Sequence, residues 1–292
     1  MSKRKQNHEM DVDGDSSEEE TPTLVDVDFD FYNFNADNDY HAINRLLIQL
    51  FGADAESLRT ADLTDYITKQ AEGSGVGSTV KTDEEDGDPY AFLSVVSCSN
   101  VASDSVLKRL VDYVLSKTSA DPAFQSTLTS LLSGQQNKVG LVLCERLINM
   151  PVQVIPPMYR MLQEEMKEAI EDGQPYKFTH YLFISRVYRL TPEEEEAMAA
   201  AQRNSKRHKS AGDSQIGRSR DGVYGFHPED EEIIKHATCT LTYSHTNAPP
   251  RDVESVGLDV GGRVMLVPGE RFEALVKTIG DVFAVAGSTG RS

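Results

Sequence analysis

Asp26, Asp28 and Asp30 stand at every second position, the densest run of possible ligands near the first apolar residues of the chain. Carboxylates at that spacing invite a calcium reading, because an EF-hand loop takes ligands from positions 1, 3, 5 and 12 around a glycine at position 6. Counted from Asp26, those last two positions are Asp37 and Phe31; counted from Asp11, they are Pro22 and Ser16. Both runs lack the sharp turn and the bidentate glutamate, so an exposed acidic strand face is the better reading.

Other constellations also fall short of chemistry. His236, Cys239 and His245 lie close together, but on the strand expected over 233–245 residues 236 and 239 point to opposite sides, and zinc ligands must converge. A core cysteine and surface histidines are expected instead. Gly73, Gly75 and Gly77 are not followed by the Lys and Ser or Thr of a phosphate loop. No Gly-x-Ser-x-Gly elbow occurs, and the scattered histidines show no pairing with an acid and a nucleophile. The sequence therefore assigns no catalytic, metal or cofactor residue.

What the carboxylates can do is attract positive charge. Against 29 Lys and Arg stand 47 Asp and Glu, a formal charge of −18, which repels phosphate backbones and anionic lipid heads and favours basic proteins as partners. No direct nucleic-acid binding is expected. Residues 1–40 hold 3 Lys and Arg against 12 Asp and Glu, a net −9, half of the total excess. A second acidic run is Asp83, Glu84, Glu85 and Asp86. Asp26, Asp28, Asp30 and these four are the candidate partner-binding residues.

Two regulatory signals accompany them. Lys206, Arg207, His208 and Lys209, followed by Arg218 and Arg220, form a basic cluster that an import receptor could read. Ser16 and Ser17 precede Glu18–Glu20, a context for phosphorylation by an acid-directed kinase. Cys98, Cys144 and Cys239 are few and odd in number, which fits a reducing compartment. No apolar stretch follows Lys3, Arg4 and Lys5, so no secretory leader is expected. No apolar run reaches the roughly 18 residues of a membrane span, so insertion is not expected.

The elements that must carry these residues are read from periodicity. Val25, Val27, Phe29 and Phe31 alternate with Asp26, Asp28 and Asp30, a strand with one wet face. Asp39 is the expected N-cap of a helix with Ile43, Leu46, Leu47, Leu50 and Phe51 on one stripe, closed by Gly52. Further helices are expected over 61–70, 106–115, 124–132, 156–170 and 271–283, with a polar one from Glu193 towards Lys209. Strands are expected over 91–98, 139–147, 176–190, 233–245 and 264–267. Gly73–Ser78 reads as a flexible turn or linker and 249–262 as a loop. The interleaving predicts an α/β (α+β) fold, a central mixed sheet flanked by helices. The expected organisation is a disordered acidic tail over 1–22, a single domain over 23–285 with a mobile basic excursion at about 203–225, and a disordered end over 286–292.

Several longer runs stand out when read together. They are Val27-Asp28-Phe29-Asp30-Phe31-Tyr32, His41-Ala42-Ile43-Asn44-Arg45-Leu46-Leu47, Gln49-Leu50-Phe51 and Tyr90-Ala91-Phe92-Leu93-Ser94-Val95-Val96. Leu143-Cys144-Glu145-Arg146-Leu147-Ile148-Asn149-Met150-Pro151, Pro156-Pro157-Met158-Tyr159, Phe178-Thr179-His180-Tyr181-Leu182 and Arg263-Val264-Met265-Leu266-Val267-Pro268-Gly269 follow in order. Together these runs resemble the BCCIP protein family, and the resemblance implies a fold like the GCN5-related N-acetyltransferases without their activity. Such a fold grips acyl-CoA through a glycine-rich loop, and the nearest attempt here, Gln136-Asn137-Lys138-Val139-Gly140, has Val where the first glycine belongs.

The resemblance further implies a non-enzymatic chaperone or escort without cofactor, found in the nucleus and cytoplasm and mainly nuclear. Its implied partners are a basic ribosomal protein of the large subunit, nuclear transport receptors and a lipid kinase client. The implied work is nuclear export and ribosome biogenesis. Alternatives are a diverged acyl-CoA-dependent transferase, or a transport adaptor for a lipid kinase or a cell-cycle protein.

Overall fold

The computed structural model describes residues 28–82, 84–98, 101, 104–133, 138–196, 222–249 and 258–284. Asp26, Asp83, Ser16, Ser17 and the cluster Lys206–Lys209 lie outside the described residues, as do the two expected disordered ends.

Eight strands form one mixed sheet. They are β1 (Asp30–Asn33), β2 (Ser78–Lys81), β3 (Ala91–Ser97), β4 (Val139–Arg146), β5 (His180–Arg189), β6 (Val223–Gly225), β7 (Cys239–Ser244) and β8 (Asp259–Pro268). Their order across the sheet is β1-β2-β3-β4-β5-β8-β7, with β6 also on β5. Every pairing is antiparallel except β4 with β5, where Val139–Leu143 run beside His180–Ile184.

Both faces of the sheet are covered. One face carries α1 (Tyr40–Phe51), the short α2 (Ala55–Leu58), α3 (Thr60–Ser74), α4 (Ser105–Lys117) and α5 (Pro122–Ser133). The other carries α6 (Ile155–Glu171), α7 (Asp230–His236) and α8 (Phe272–Phe283). Alternate strand residues feed two cores: Phe92, Val96, Leu141, Leu143, Leu182, Ile184, Val264 and Leu266 join Ile43, Leu47, Ile67 and Leu107. Leu93, Val95, Val142, Phe183, Met265 and Val267 join Met158, Leu162, Leu275 and Ile279. A sheet covered twice needs strands apolar on both sides, which is why β3, β4 and β5 read as continuous apolar runs.

Helix stripes hold as expected for α1, α4, α6 and α8, whose inward residues are buried. Ile170 is the exception, 39% exposed at the last turn of α6. Pro156 stands at the start of α6, where a missing N–H is harmless. At α4 the cap is Asp104, whose Oδ1 accepts from the N–H groups of Val106 and Leu107.

Several expectations are corrected. Of the turn or linker expected over Gly73–Ser78, the turn is what forms, and it is not flexible: Gly73 and Ser74 end α3, Gly75 closes it at φ +69°, Val76 is fully buried, and Ser78 begins β2. Gly77, at φ +117°, has backbone of Leu93 within 2.9 Å of any Cβ it would carry, so the turn is a packed one. Residues 233–245 are not one strand, because α7 occupies Asp230–His236 and β7 starts at Cys239. His236 and Cys239 thus sit on different elements. His245 is not a surface residue but 6% exposed, with its ring beside Gly52.

β8 spans ten residues, from Asp259, so it takes the end of the expected 249–262 loop. The expected excursion at 203–225 closes on a strand, since Val223–Gly225 is β6 paired to Val187–Arg189. Tyr176 and Phe178 precede β5 and are buried under α6 rather than belonging to the strand. Pro192–Glu196 is helical, as the start of the expected polar helix requires.

Candidate functional site

The first strand is shorter than its alternation predicts, because β2 offers only four partners, Asp30 to Asn33 facing Lys81 to Ser78. The faces are as expected: Phe29 and Phe31 are half-buried against the second core, while Asp28 and Asp30 are exposed. Strand β2 then carries the chain into Glu84, Glu85 and Asp86, all exposed.

The two acidic segments meet around one ring. Desolvation raises the Tyr32 phenol above its ordinary pKa, and the carboxylates of Asp30, Glu85 and Glu84 raise it further by repulsion. The residue that makes this corner possible is Lys81, the last of β2 and 0% exposed. Its ammonium is 2.7 Å from Oδ1 of Asp39 and also donates to the backbone carbonyl of Glu85. It lies 5.6 Å from the centroid of the Tyr32 ring.

Asp39 therefore does not act as the helix cap its position suggests. Its backbone is at the N-terminus of α1, but its side chain accepts from the Asn35 N–H and Lys81 instead of a helix N–H. A buried charge needs a paired opposite more than a helix needs one cap. The acidic loop is tied twice more, by Asn38 Nδ2 donating to Asp86 at 2.7 Å and by Arg45 to Asp88 at 2.6 Å. The outcome is a fixed acidic corner built from β1, the loop after β2 and the start of α1.

A second charge cluster, not foreseen from the sequence, lies where the parallel pair ends. β4 and β5 part after Leu143 and Ile184, and β8 runs along the whole opposite edge of β5. So β6 takes the edge that β4 leaves. Into this fork the chain inserts Phe226, His227 and Glu229. Arg186 donates to Glu145 at 2.7 Å and stacks 4.3 Å from the Phe226 ring. His227 Nε2 is 2.8 Å from Glu145, and Arg146 makes a two-pronged contact with Glu229.

The charged side chains of this cluster are at most 7% exposed. Burial pushes the Glu145 carboxyl up, but His227 and Arg186 more than reverse it, holding it down at about 2. Burial likewise raises Glu229, and Arg146 and His227 pull it below the usual range. Burial lowers His227, and Glu145 lifts it above its ordinary value. Asp230 differs: burial, with Glu229 beside it, raises it to about 6.

The cavity beside the cluster, bounded by Cys144, Tyr159, Ser185, His227 and Asp230, holds only about 10 Å³. That is room for a water, not for a substrate. The cluster is thus arranged as a lock between strands. Cys144 and Cys98 are not nucleophiles in waiting, since burial pushes both thiols up, Cys98 to about 12.

A third network fixes the far end of the sheet. Asp54 accepts from Lys117 at 2.6 Å and from the N–H groups of Thr246 and Asn247. Among the described residues, no group of three or more His, Cys, Asp or Glu side chains could hold a metal ion. No helix there is long and apolar enough to cross a membrane.

Val139 and Gly140, the end of the nearest approach to an acyl-CoA loop, are residues of β4. A Cβ on Gly140 would stand 2.7 Å from the Phe178 ring. The glycine is there for an aromatic ring, and no phosphate need be invoked.

Comparison with known proteins agrees with the runs of residues quoted above. The family model described as BCCIP matches residues 24–233. Protein bcp-1 of Neurospora crassa is 38% identical over 260 residues, 87% of this chain and 84% of that protein. Protein bcp1 of Schizosaccharomyces pombe is 38% identical over 255 residues, 84% of this chain and 86% of that one. The crystal structure of BCP1 from Saccharomyces cerevisiae superposes with a TM-score of 0.59 at 24% identity, covering 91% of this chain and 93% of the other, and shows the same fold. The chain belongs to the BCCIP family.

Proposed function

We propose that this chain is a non-enzymatic escort that binds a basic protein of the large ribosomal subunit and acts as a nuclear export factor in ribosome biogenesis. One observation carries the reading: the carboxylate of Asp30, two residues after the exposed Asp28, shares a single fixed corner with Glu84, Glu85 and Asp86. Acid that is merely solubilising needs no buried lysine to hold it in place. Asp26 and Asp83, which lie outside the described residues, belong to the same reading as candidate partner-binding residues. Family membership supports the reading, and so does the net charge of −18.

Each exposed ion pair contributes only about 0.2–1 kcal/mol. Charge therefore supplies association speed and the class of partner, and contact area supplies affinity. In the same reading the Lys206–Lys209 cluster is read by nuclear transport receptors, and Ser16 and Ser17 are phosphorylated to deepen the charge of the acidic segment beside them.

The test uses the immobilised full chain and a salt-extracted mixture of large-subunit ribosomal proteins. Retention of one basic protein after the bulk has washed away is the expected result. Equal retention on beads carrying an acidic polymer of similar charge would sink the proposal.

A further inference from the structure

Beside the acidic corner lies a groove of about 240 Å³, with Ala42, Leu46 and Gln49 of α1 on one wall and Pro89, Tyr90 and Leu147 on the other. Leu147, in the wall, is 37% exposed; Ile148, next to it in sequence, is 75% exposed, and Ile48, next to Gln49 on α1, is 45% exposed. Gln49 Nε2 donates to the Arg146 carbonyl at 2.8 Å, and the Leu147 N–H donates to the Tyr90 carbonyl at 3.0 Å. These bonds tie helix, loop and strand end together, so the walls are fixed.

The charge around the groove has one sign available. Arg45, the basic residue in the wall, is already engaged by Asp88. Asp86, Glu85 and Glu84 stand exposed along the loop that forms the Pro89 side. The volume lies below the roughly 300–1,000 Å³ of small-molecule sites and suits one anchoring side chain.

A larger groove of about 630 Å³ between α6 and α8 offers no such choice of partner, because Arg160 and Lys277 face it together with Glu273 and Asp281. A second copy of this chain is a poor occupant of the smaller groove, since it would bring another −18 against the acidic rim.

We propose that this groove is where the basic client docks, taking a short segment with one large apolar residue flanked by Lys or Arg. The apolar residue enters between Leu46 and Leu147 and covers Ile148, while the flanking cations meet Glu84, Glu85 and Asp86. This rests on the escort reading, whose failure is seen separately: a wild-type chain that retains no large-subunit protein overturns both.

The experiment places a photo-crosslinking phenylalanine analogue at position 148 of the full chain, mixed with salt-extracted large-subunit ribosomal proteins. In parallel, Ile148→Asp and the milder Ile48→Ser are titrated with the retained protein. The proposal expects crosslinks to a Lys- or Arg-flanked apolar segment of that protein. It also expects at least a thirtyfold weaker affinity for Ile148→Asp and a severalfold loss for Ile48→Ser. The urea midpoint should stay at the wild-type value, because both positions are exposed.

Glu84→Gln with Glu85→Gln should instead flatten the salt dependence. Unchanged affinity in both apolar variants, with binding of the wild type intact, overturns the groove and leaves the escort reading standing. Crosslinks within the chain, to residues 203–209, or to a second copy would overturn it equally.

Discussion

The ammonium of Lys81 and the carboxylate of Asp39 lie 2.7 Å apart with 1% and 0% of their side chains exposed. This pair joins the fold to the acidic surface, since the same ammonium holds the Glu85 carbonyl. Lys81→Met leaves Asp39 buried without its cation, a loss expected at about 3–5 kcal/mol. The double variant Lys81→Met with Asp39→Leu should recover part of it. Urea unfolding of these two variants and of Asp39→Leu alone measures the coupling, and a loss below about 1 kcal/mol for Lys81→Met would contradict the pairing.

The fork cluster sets a pH profile. Asp230 is raised on folding from 3.8 to about 6, so its contribution is fully present below about 4 and is lost as the pH rises through 6. His227, raised above 6.5, also loses its contribution as the pH rises, but higher, through that raised value. Glu145 is depressed to about 2, so its contribution is present above 4.5 and lost as the pH falls towards 2. Glu229 is lowered and acts in the same sense.

Asp230→Asn removes the carboxylate that burial disfavours, one whose Oδ2 has no hydrogen-bond partner. Its urea midpoint should exceed that of the wild type at pH 7.5, with an advantage that shrinks towards pH 4. An advantage independent of pH would show that charge is not the cause.

Gly140→Ala drives a methyl into the Phe178 ring, which is itself held edge-on between Tyr176 and Tyr181. Overpacking of this kind costs about 1–3 kcal/mol. Adding Phe178→Leu should restore part of the thermal midpoint. If Gly140→Ala is neutral, the aromatic account of this glycine is wrong.

Neutralising Asp28, Asp30, Glu84, Glu85 and Asp86 together should slow client association by about tenfold at low salt and leave dissociation nearly unchanged. The difference should vanish as salt shortens the Debye length to about 3 Å near 1 M. Stopped-flow mixing resolves the two rates.

Much of this fold is legible in the sequence where one physical cause dominates. β3, β4 and β5 announce themselves because burial on both faces leaves few polar positions, and α4, α6 and α8 because one stripe is apolar. β2 is hidden: Ser78, Thr79 and Lys81 look like loop residues, and only Asp39, far away in sequence, makes the lysine fit for burial. Strand β6 has three residues and depends on the departure of β4.

α7 had a signal that could have found it, acids in the first turn and Lys235 and His236 in the last. Ile233 and Ile234 drew it into a strand instead. Of the acidic candidates, the exposure of Asp28 and Asp30 was visible as alternation. The meeting of Asp30 with Glu84 and Glu85 was not, since it depends on the β1–β2 register. The fork charges were invisible for the same reason, each partner arriving on a different element.

In the proposed reading, a fixed acidic corner beside an apolar groove captures one basic protein. The most direct test of that capture is a titration of the retained large-subunit protein into the full chain from 50 mM to 1 M salt. The account predicts an affinity that weakens steadily with salt and then levels at a residual value set by the apolar contact. Binding that disappears entirely with salt, or that never depends on it, would contradict the account.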